Sequence, residues 1–238
     1  MKQTLLAVAL GAAMVSGMAS AVELKTDEQK ESYAIGLQMG LQLLQIDNID
    51  FKIMTEGMKT TYNQEKPQMT PEELNATLQG LQKKLQEKQV KAFEKLSADN
   101  LEKGKAYLAK NAKKDGVKTT ESGLQYEELV AGKGKQPAAD DTVKVHYRGT
   151  LIDGTEFDSS YARNEPVSFS LDGVIAGWKE GVPMIKEGGK ARLVIPADLA
   201  YGPRGMGNAI GPNEVLIFEI ELLEINPSTE EPEATKAK

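Results

Sequence analysis

The chain has 238 residues and a net charge of −6, with 40% hydrophobic and 27% charged residues. This length allows more than one domain, and the composition is typical of a soluble globular protein. An acidic chain without an extended basic patch does not suit general attraction to nucleic-acid phosphates. The chain has no cysteine, which excludes disulfides, thiolate nucleophiles and cysteine-held metals.

The first 21 residues have the pattern of a secretory signal peptide. Lys2 supplies a positive charge, Leu5 to Val15 is almost continuously apolar or small, and Ala19-Ser20-Ala21 fits a cleavage site. This apolar run is shorter than the roughly 20 residues of a membrane-spanning helix, and a short membrane anchor is the alternative interpretation. We therefore expect export to the periplasm and a mature chain that starts at Val22.

Residues 22–115 carry helix signals and almost no β-branched runs, which predicts an all-α first domain. Thr26 and Gln29 have the spacing of a capping box, in which two side chains satisfy free amides at a helix start. Phe51 to Tyr62 predicts a second, shorter helix.

A third helix is predicted to be long, from Pro71 to about Asn111. Thr70 supplies a capping hydroxyl, Pro71 suits the first helical position, and Glu73 supplies the reciprocal carboxylate. Four leucines form a short seam of the coiled-coil type; they are Leu74, Leu78, Leu81 and Leu85. Such a helix cannot bury its apolar stripe alone, so we expect residues 22–115 to form a homodimer that includes this long linker helix.

From Gly123 onward the hydrophobic period changes to that of β-strands. Val143 to Tyr147 and Leu216 to Leu222 alternate apolar and polar residues, and Leu193 to Ile195 is a further strand candidate. Asp153-Gly154 is a turn signal between two short runs.

The only helix candidate in this half is short, from Val174 to Lys179. We therefore expect an α+β second domain over residues 116–225, an antiparallel β-sheet wrapped around one short helix. Residues 226–238 contain prolines and charged residues but no large apolar residue, which predicts a disordered tail.

Residues suited to metal or nucleophilic chemistry are scarce. His146 is the one histidine, in a predicted strand without a nearby partner, which argues against a zinc site or a serine-histidine-aspartate triad. The alternating pattern predicts a plain exposed residue there. The glycine run does not open a helix, so we expect a loop with positive φ angles rather than a phosphate site; its members are Gly202, Gly205, Gly207 and Gly211. No metal and no cofactor are predicted.

Six aromatic residues of the second half stand out, although each taken singly is typical of a sheet core. They are Tyr147, Phe157, Phe169, Trp178, Tyr201 and Phe218.

Residues 123–225 resemble the FKBP-type peptidyl-prolyl cis/trans isomerases along their whole length. The matching motifs are Val145-His146-Tyr147-Arg148-Gly149, Asp153-Gly154, Phe157-Asp158-Ser159-Ser160, Val174-Ile175, Gly177-Trp178, Ala200-Tyr201-Gly202 and Val215-Leu216-Ile217-Phe218. The helical front, with Ser32-Tyr33-Ala34-Ile35-Gly36, resembles the macrophage infectivity potentiator branch of that family. Members of that branch are exported dimers joined through these helices.

The resemblance implies a proline pocket with Trp178 as its floor. It implies the backbone N–H of Ile175 and the hydroxyl of Tyr201 as donors to substrate carbonyls. Asp158 is implied as a partner of the rotating carbonyl or of Tyr147. The implied catalytic residues are Tyr147, Phe157, Asp158, Ile175, Trp178, Tyr201 and Phe218. The implied substrate-binding residues are Val174, Arg163, Phe169 and Ile210, with a structural ion pair to Asp158 as the alternative for Arg163.

Three positions depart from the pattern of many relatives: Val167, Met206 and Gly211. They border the pocket in the family. The resemblance implies macrolide inhibitors as further ligands, and these positions are where substrate preference and inhibitor affinity are expected to differ.

The resulting expectation is a dimeric, periplasmic peptidyl-prolyl cis/trans isomerase that accelerates the folding of exported proteins and has chaperone activity. Its partners would be proline-containing unfolded or partly folded polypeptides. The alternative is a holdase chaperone or peptide-binding module that uses the proline pocket only for docking. A purely structural spacer would leave the pocket residues without a role.

Overall fold

The computed structural model describes residues 22–227. The predicted signal peptide and residues 228–238 of the predicted tail lie outside the described residues. The chain divides into two compact units between Leu81 and Gln82, inside its longest helix. The domain division after residue 115 stays a prediction.

The first unit is helical, as the sequence predicts. Helix α1 spans Asp27–Leu43, α2 spans Phe51–Tyr62, and α3 spans Pro71–Asn111 and continues into the second unit. At the start of α1, the Gln29 N–H donates to the Thr26 hydroxyl, and the Thr26 N–H donates to the Gln29 side chain. The predicted capping box and the three predicted helices are therefore confirmed.

Most apolar residues of α1 and α2 are exposed within one chain, and neither helix contains a buried residue. On α1, Tyr33, Leu37 and Leu41 follow each other at four-residue spacing and are 51–65% exposed. Met58 and Tyr62 on α2 are also exposed. Helices in proteins gain most of their stability by packing an apolar face, and within the described chain these faces are left exposed.

The second unit is built on a seven-stranded antiparallel sheet in the order β1-β2-β6-β7-β3-β4, with β5 paired to β3. The strands are β1 (Val117–Thr119), β2 (Gln125–Val130), β3 (Thr142–Leu151), β4 (Glu156–Ser159), β5 (Val167–Ser170), β6 (Lys190–Ile195) and β7 (Leu216–Ile225). Two short helices accompany the sheet, α4 (Ser160–Arg163) and α5 (Ala176–Gly181).

Helix α5 packs against the apolar face of the sheet because two glycines allow a close approach. A Cβ at Gly177 would lie 2.4 Å from Ile195 Cγ2, and one at Gly181 would lie 2.5 Å from Leu193 Cδ1. Alternate residues of β3 and β7 are buried on the same face of the sheet. The predicted α+β class, a sheet around a short helix, is confirmed.

Some short elements were not predicted correctly. Helix α5 begins at Ala176 rather than Val174, because Val174 and Ile175 have extended backbones with ψ near 170° and 154°. Strands β1, β2 and β5 were not predicted, and neither was the short helix α4. Segments of three to six residues carry too few repeats for their period to be recognised.

His146 is half-buried, so the prediction of a plain exposed residue was wrong. Its Nδ1 lies 3.0 Å from Ser160 Oγ, and its ring stacks on Tyr161 with 4.6 Å between centroids. Both partners belong to α4, the helix that the sequence did not predict, and α4 covers this part of β3.

Asn226, which the sequence assigns to the tail, continues the pairing of the sheet. Its N–H donates to the Thr142 carbonyl at 2.7 Å, and its Nδ2 donates to Asp141 Oδ1 at 2.7 Å. Among residues 22–227, no helix is both long enough and apolar enough to cross a membrane.

Candidate active site

Three aromatic rings surround Trp178 on the inner face of the sheet. The rings of Tyr147, Phe169 and Phe218 lie 5.5, 5.4 and 5.2 Å from the indole, all edge-to-face. Strands β3, β5 and β7 each supply one of these rings, and α5 supplies the indole. Edge-to-face packing is a favourable geometry for aromatic pairs, so the cluster has a defined shape.

Trp178 is buried, with 4% of the residue exposed, and its indole Nε1 has no hydrogen-bond partner among residues 22–227. A buried N–H without an acceptor costs free energy. The three rings around the indole give Trp178 an apolar environment.

Phe157 on β4 extends the cluster at the other side of Phe218. The two rings lie 5.5 Å apart, edge-to-face. Gly149 on β3 pairs with both Phe218 and Asp158 in the neighbouring strands. A Cβ at Gly149 would lie 2.6 Å from Phe157 Cε2 and 2.9 Å from Phe218 Cε1, so only glycine leaves room for both rings.

Replacing Gly149 with alanine is expected to displace both rings and to destabilise the second unit by about 1–3 kcal/mol, the usual cost of overpacking a core. Urea unfolding monitored by circular dichroism measures this loss. Gly173→Ala is the matched control, because nothing lies within 4 Å of an added Cβ there. Equal stability of the two variants would contradict the close packing at Gly149.

A closed hydrogen-bonded triad forms the polar edge of the cluster. Tyr147 Oη donates to Asp158 Oδ2 at 2.5 Å, and Arg163 donates to Asp158 Oδ1 at 2.6 Å and to Tyr147 Oη at 2.9 Å. Burial opposes ionisation of Asp158, but the hydrogen bonds from Tyr147 and Arg163 outweigh it and hold the pKa of Asp158 below its usual value. Asp158 is therefore an acceptor for Tyr147 and the ion-pair partner of Arg163 at neutral pH.

Ser159 and Ser160 position this triad, and the sequence did not indicate their roles. Ser160 Oγ is buried and bonds to both the N–H and the carbonyl of Tyr147, at 2.7 and 3.1 Å. The Ser159 side chain caps α4 by accepting from the Ala162 N–H, and α4 carries Arg163. Two hydroxyls directly after a strand are a capping pattern that sequence inspection alone could have recognised.

Two hydrogen-bond donors beside the cluster have no partner among residues 22–227. Ile175 precedes α5 as its N-cap, and its backbone N–H makes no hydrogen bond there. The same holds for the Tyr201 hydroxyl, whose pKa is raised by burial and by the charge of Asp158. Both groups are available to bind carbonyl oxygens of a ligand.

The remaining predicted site residues lie in or next to the same core. Val174 is half-buried and packs against the core cluster, as does Phe169. Ile210 is only 3% exposed, so its side chain belongs to the core, while its backbone pairs with Met206. Within residues 22–227, no group of three or more histidine, aspartate or glutamate side chains is arranged to hold a metal.

Two family models match this chain. One, described as the domain amino terminal to FKBP-type peptidyl-prolyl isomerase, matches residues 28–127. The other, described as FKBP-type peptidyl-prolyl cis-trans isomerase, matches residues 133–223.

Curated relatives and a solved structure agree with these matches. The probable FKBP-type peptidyl-prolyl cis-trans isomerase FkpA of Neisseria meningitidis is 50% identical over 204 residues, which cover 83% of this chain and 74% of the relative. The outer membrane protein MIP of Legionella longbeachae is 40% identical, with 94% of this chain and 98% of the relative covered. The crystal structure of FkpA from Escherichia coli matches with a TM-score of 0.72 at 43% identity, covering 86% of this chain and 99% of that chain. The resemblance inferred from the motifs is confirmed, and the chain belongs to the FKBP-type peptidyl-prolyl cis-trans isomerase family.

Proposed function

We propose that this chain accelerates the folding of exported proteins by rotating X-Pro bonds, with the aromatic cluster around Trp178 as the proline pocket. One observation carries the assignment of the pocket. Three rings stand edge-on around a buried indole, next to two donors that have no partner within the described part of the chain, Ile175 N–H and Tyr201 Oη. This arrangement suits an apolar ring that is flanked by backbone carbonyls.

The chemistry of X-Pro rotation suits an apolar pocket. Rotation removes the amide resonance, and the barrier is about 18–20 kcal/mol. The planar amide is charge-separated and stabilised by water, so apolar surroundings that withdraw water from the imide favour the twisted form. Each reduction of the barrier by about 1.4 kcal/mol gives a tenfold faster rate. No covalent bond breaks, so neither a nucleophile nor a cofactor is needed.

The polar groups at the edge would hold the substrate while one side of the bond turns. The prolyl ring would lie on Trp178, and Ile175 N–H and Tyr201 Oη would donate to carbonyl oxygens of the peptide. Hydrogen bonds that are stronger to the twisted form than to either planar isomer accelerate the rotation. Asp158 would act through Tyr147, whose hydroxyl it holds at the edge of the cluster.

The proposed function is tested by refolding of a protein whose slow phase is limited by proline isomerisation, with the chain from residue 22 onward as catalyst. We expect the slow phase to accelerate in proportion to catalyst concentration.

A second candidate is a holdase that uses the pocket only for docking, because α1 and α2 expose apolar faces that an unfolded chain can bind. Suppressed client aggregation with an unchanged slow phase would favour the holdase and contradict the isomerase proposal.

We also propose a homodimer that is formed through the apolar faces of α1 and α2. Support comes from the exposed stripe of α1, which includes Leu37 and Leu41. Leu41→Asp is expected to weaken the dimer by about 100-fold or more, because the variant loses apolar burial and places a charge in the interface.

Analytical ultracentrifugation of the chain at micromolar concentration measures this dissociation. Gln42→Asp introduces the same charge on α1 but off the stripe, and it is expected to leave the dimer intact. A wild-type chain that sediments as a monomer would contradict the proposed dimer.

Export to the periplasm and cleavage after Ala21 remain part of this proposal. They are supported by the signal pattern of residues 1–21 and by one relative's name, outer membrane protein MIP. Mass spectrometry of the chain from a periplasmic extract should give a start at Val22. Recovery of the uncut chain from the cytoplasm would overturn this part.

A further inference from the structure

We infer that the C-terminal part of α3 positions the loop that carries Tyr201, through the side chains of Ser97 and Asn100. We call residues 201–213 the rim loop. The inference rests on the proposed isomerase function of the pocket, and it assigns positioning residues to that site on a helix that contributes no aromatic ring to it.

The rim loop is a compact unit that is closed at its base. The Met206 N–H donates to the Ile210 carbonyl at 2.8 Å, and the Ile210 N–H donates back at 3.2 Å. The Asn213 N–H donates to the Gly202 carbonyl at 2.9 Å, so the two ends of the loop meet. We call Gly202, Pro212 and Asn213 the base of the rim loop. At Gly205, with φ of 65°, an added Cβ would lie 2.2 Å from the Ile210 carbonyl oxygen. A displacement of the base would therefore be transmitted to the residues at both ends of the loop.

Three side-chain hydrogen bonds join this base to α3. Asn100 Nδ2 donates to the Pro212 carbonyl at 2.9 Å, and Asn213 Nδ2 donates to Ser97 Oγ at 2.7 Å and to the Ser97 carbonyl at 3.4 Å. Asn100 is 6% exposed, so its amide would be left buried without a partner if the base moved away. Among residues 22–227, Ser97, Asn100 and Asn213 are the residues whose side chains hydrogen-bond the rim loop to the rest of the chain.

The helix backbone also lies close to the segment that follows the rim loop. A Cβ at Gly104 would lie 2.8 Å from Val215 Cγ2, so α3 packs tightly there. Ser97, Asn100 and Gly104 are spaced by three and four residues and therefore share one face of α3. That face is held against the base of the rim loop by contacts on both sides of Asn100.

Tyr201 directly precedes Gly202, whose carbonyl accepts from the Asn213 N–H, and Ile210 lies three residues before Asn213. Ser97 and Asn100 are therefore connected to the Tyr201 hydroxyl through hydrogen bonds and two short stretches of backbone. A hydroxyl that must meet a substrate carbonyl needs a placement within a fraction of an ångström. Loosening the base should weaken substrate binding without removing any group from the pocket.

Asn111 offers a matched control on the same helix. It is also buried, at 3% exposure, and its Nδ2 donates to Gln125 Oε1 at 2.8 Å. Gln125 lies on β2 and donates back to the Leu108 carbonyl of α3 at 2.8 Å. Asn111 thus fastens α3 to the sheet and not to the rim loop.

The test compares the wild type, the double variant Ser97→Ala/Asn100→Ala and Asn111→Ala in the full mature chain. Hydrogen exchange is followed at the amides of Met206, Ile210 and Asn213, which donate hydrogen bonds within the rim loop. We expect about tenfold faster exchange in the double variant, because the two shorter hydrogen bonds between α3 and the base are lost. We expect unchanged exchange at these amides in Asn111→Ala.

The second readout is the isomerisation of a proline tetrapeptide. In the double variant we expect KM to rise about three- to tenfold with kcat within about twofold, the pattern of lost binding rather than lost chemistry. Ser97→Thr keeps the hydroxyl at position 97. A variant that carries Ser97→Thr in place of Ser97→Ala should therefore regain the hydrogen bond from Asn213 Nδ2. If the double variant does not fold, Ser97→Ala alone is compared with Ser97→Thr by the same measurements.

The inference is overturned if exchange rises equally in the rim loop and the rest of the sheet, or if Asn111→Ala raises KM as much as the double variant. It is also overturned if neither exchange nor KM changes. A wild type without isomerase activity would defeat the proposed function instead. The exchange rates would then still decide whether α3 holds the rim loop.

Discussion

Replacing Phe218 with alanine is expected to lower kcat/KM for X-Pro rotation by about 100-fold, which corresponds to about 2.7 kcal/mol of transition-state binding. Phe218 contacts three other rings of the cluster, with centroid distances of 5.2 Å to Trp178, 5.5 Å to Phe157 and 6.4 Å to Tyr147. Its removal opens the wall of the pocket to water, and the imide then keeps more of its hydration. The peptide isomerisation assay measures the loss.

Stability has to be separated from activity in this variant, because truncating a buried phenylalanine costs about 3–5 kcal/mol of folding free energy. Leu222→Ala is the control, since Leu222 is fully buried on the same face of β7. It should cost about 2–5 kcal/mol of stability but leave activity per folded molecule unchanged. Phe218→Leu is the milder form if alanine prevents folding. Full activity in folded Phe218→Leu and Phe218→Ala would rule out this cluster as the pocket.

Replacing Asp158 with alanine is expected to lower kcat/KM by about tenfold or more. The change removes the acceptor of the Tyr147 hydroxyl and the ion-pair partner of Arg163. If Asp158 acts by holding Tyr147, then Asp158→Ala combined with Tyr147→Phe should lose little more than either variant alone. Strictly additive losses would show instead that Asp158 acts on the substrate independently of Tyr147.

The same carboxylate should make stability depend on pH. Burial opposes its ionisation, but the hydrogen bonds from Tyr147 and Arg163 prevail, so the folded-state pKa of Asp158 lies below the unfolded value. Its contribution to stability is therefore fully present above the unfolded pKa of about 3.9 and is lost as the pH falls through the lowered folded pKa. The difference in urea midpoint between the wild type and Asp158→Asn should be constant from about pH 5 to 7 and shrink below about pH 4. A difference that grows toward acid pH would contradict this sign.

The helices were predictable because their signals are local. The Thr26–Gln29 capping box lies within four residues, and Thr70, Pro71 and Glu73 mark the start of α3 in the same way. Long elements also repeat their pattern often enough to be read. Strands β1 and β5 and helix α4 span three or four residues, and they exist because neighbouring strands and the core stabilise them.

For the site, the sequence supplied the residue types and, through the family motifs, their grouping. It left open whether Asp158 partners a substrate carbonyl or Tyr147, and the short bond to the Tyr147 hydroxyl supports the second. The burial of His146 against Ser160 was also beyond the strand pattern, because it depends on α4.

By itself, therefore, the sequence determined the three helices, the change to a sheet and the set of aromatic residues of the proposed proline pocket. Only the tertiary structure decided how the rings are ordered around Trp178, which groups hold Asp158, and that Asn100 reaches Pro212 across 112 positions of the chain. The physical reason is the range of the interactions. Helix caps and hydrophobic periodicity depend on residues that are close in sequence. A buried side-chain amide such as that of Asn100 instead hydrogen-bonds to a carbonyl that only tertiary folding places beside it.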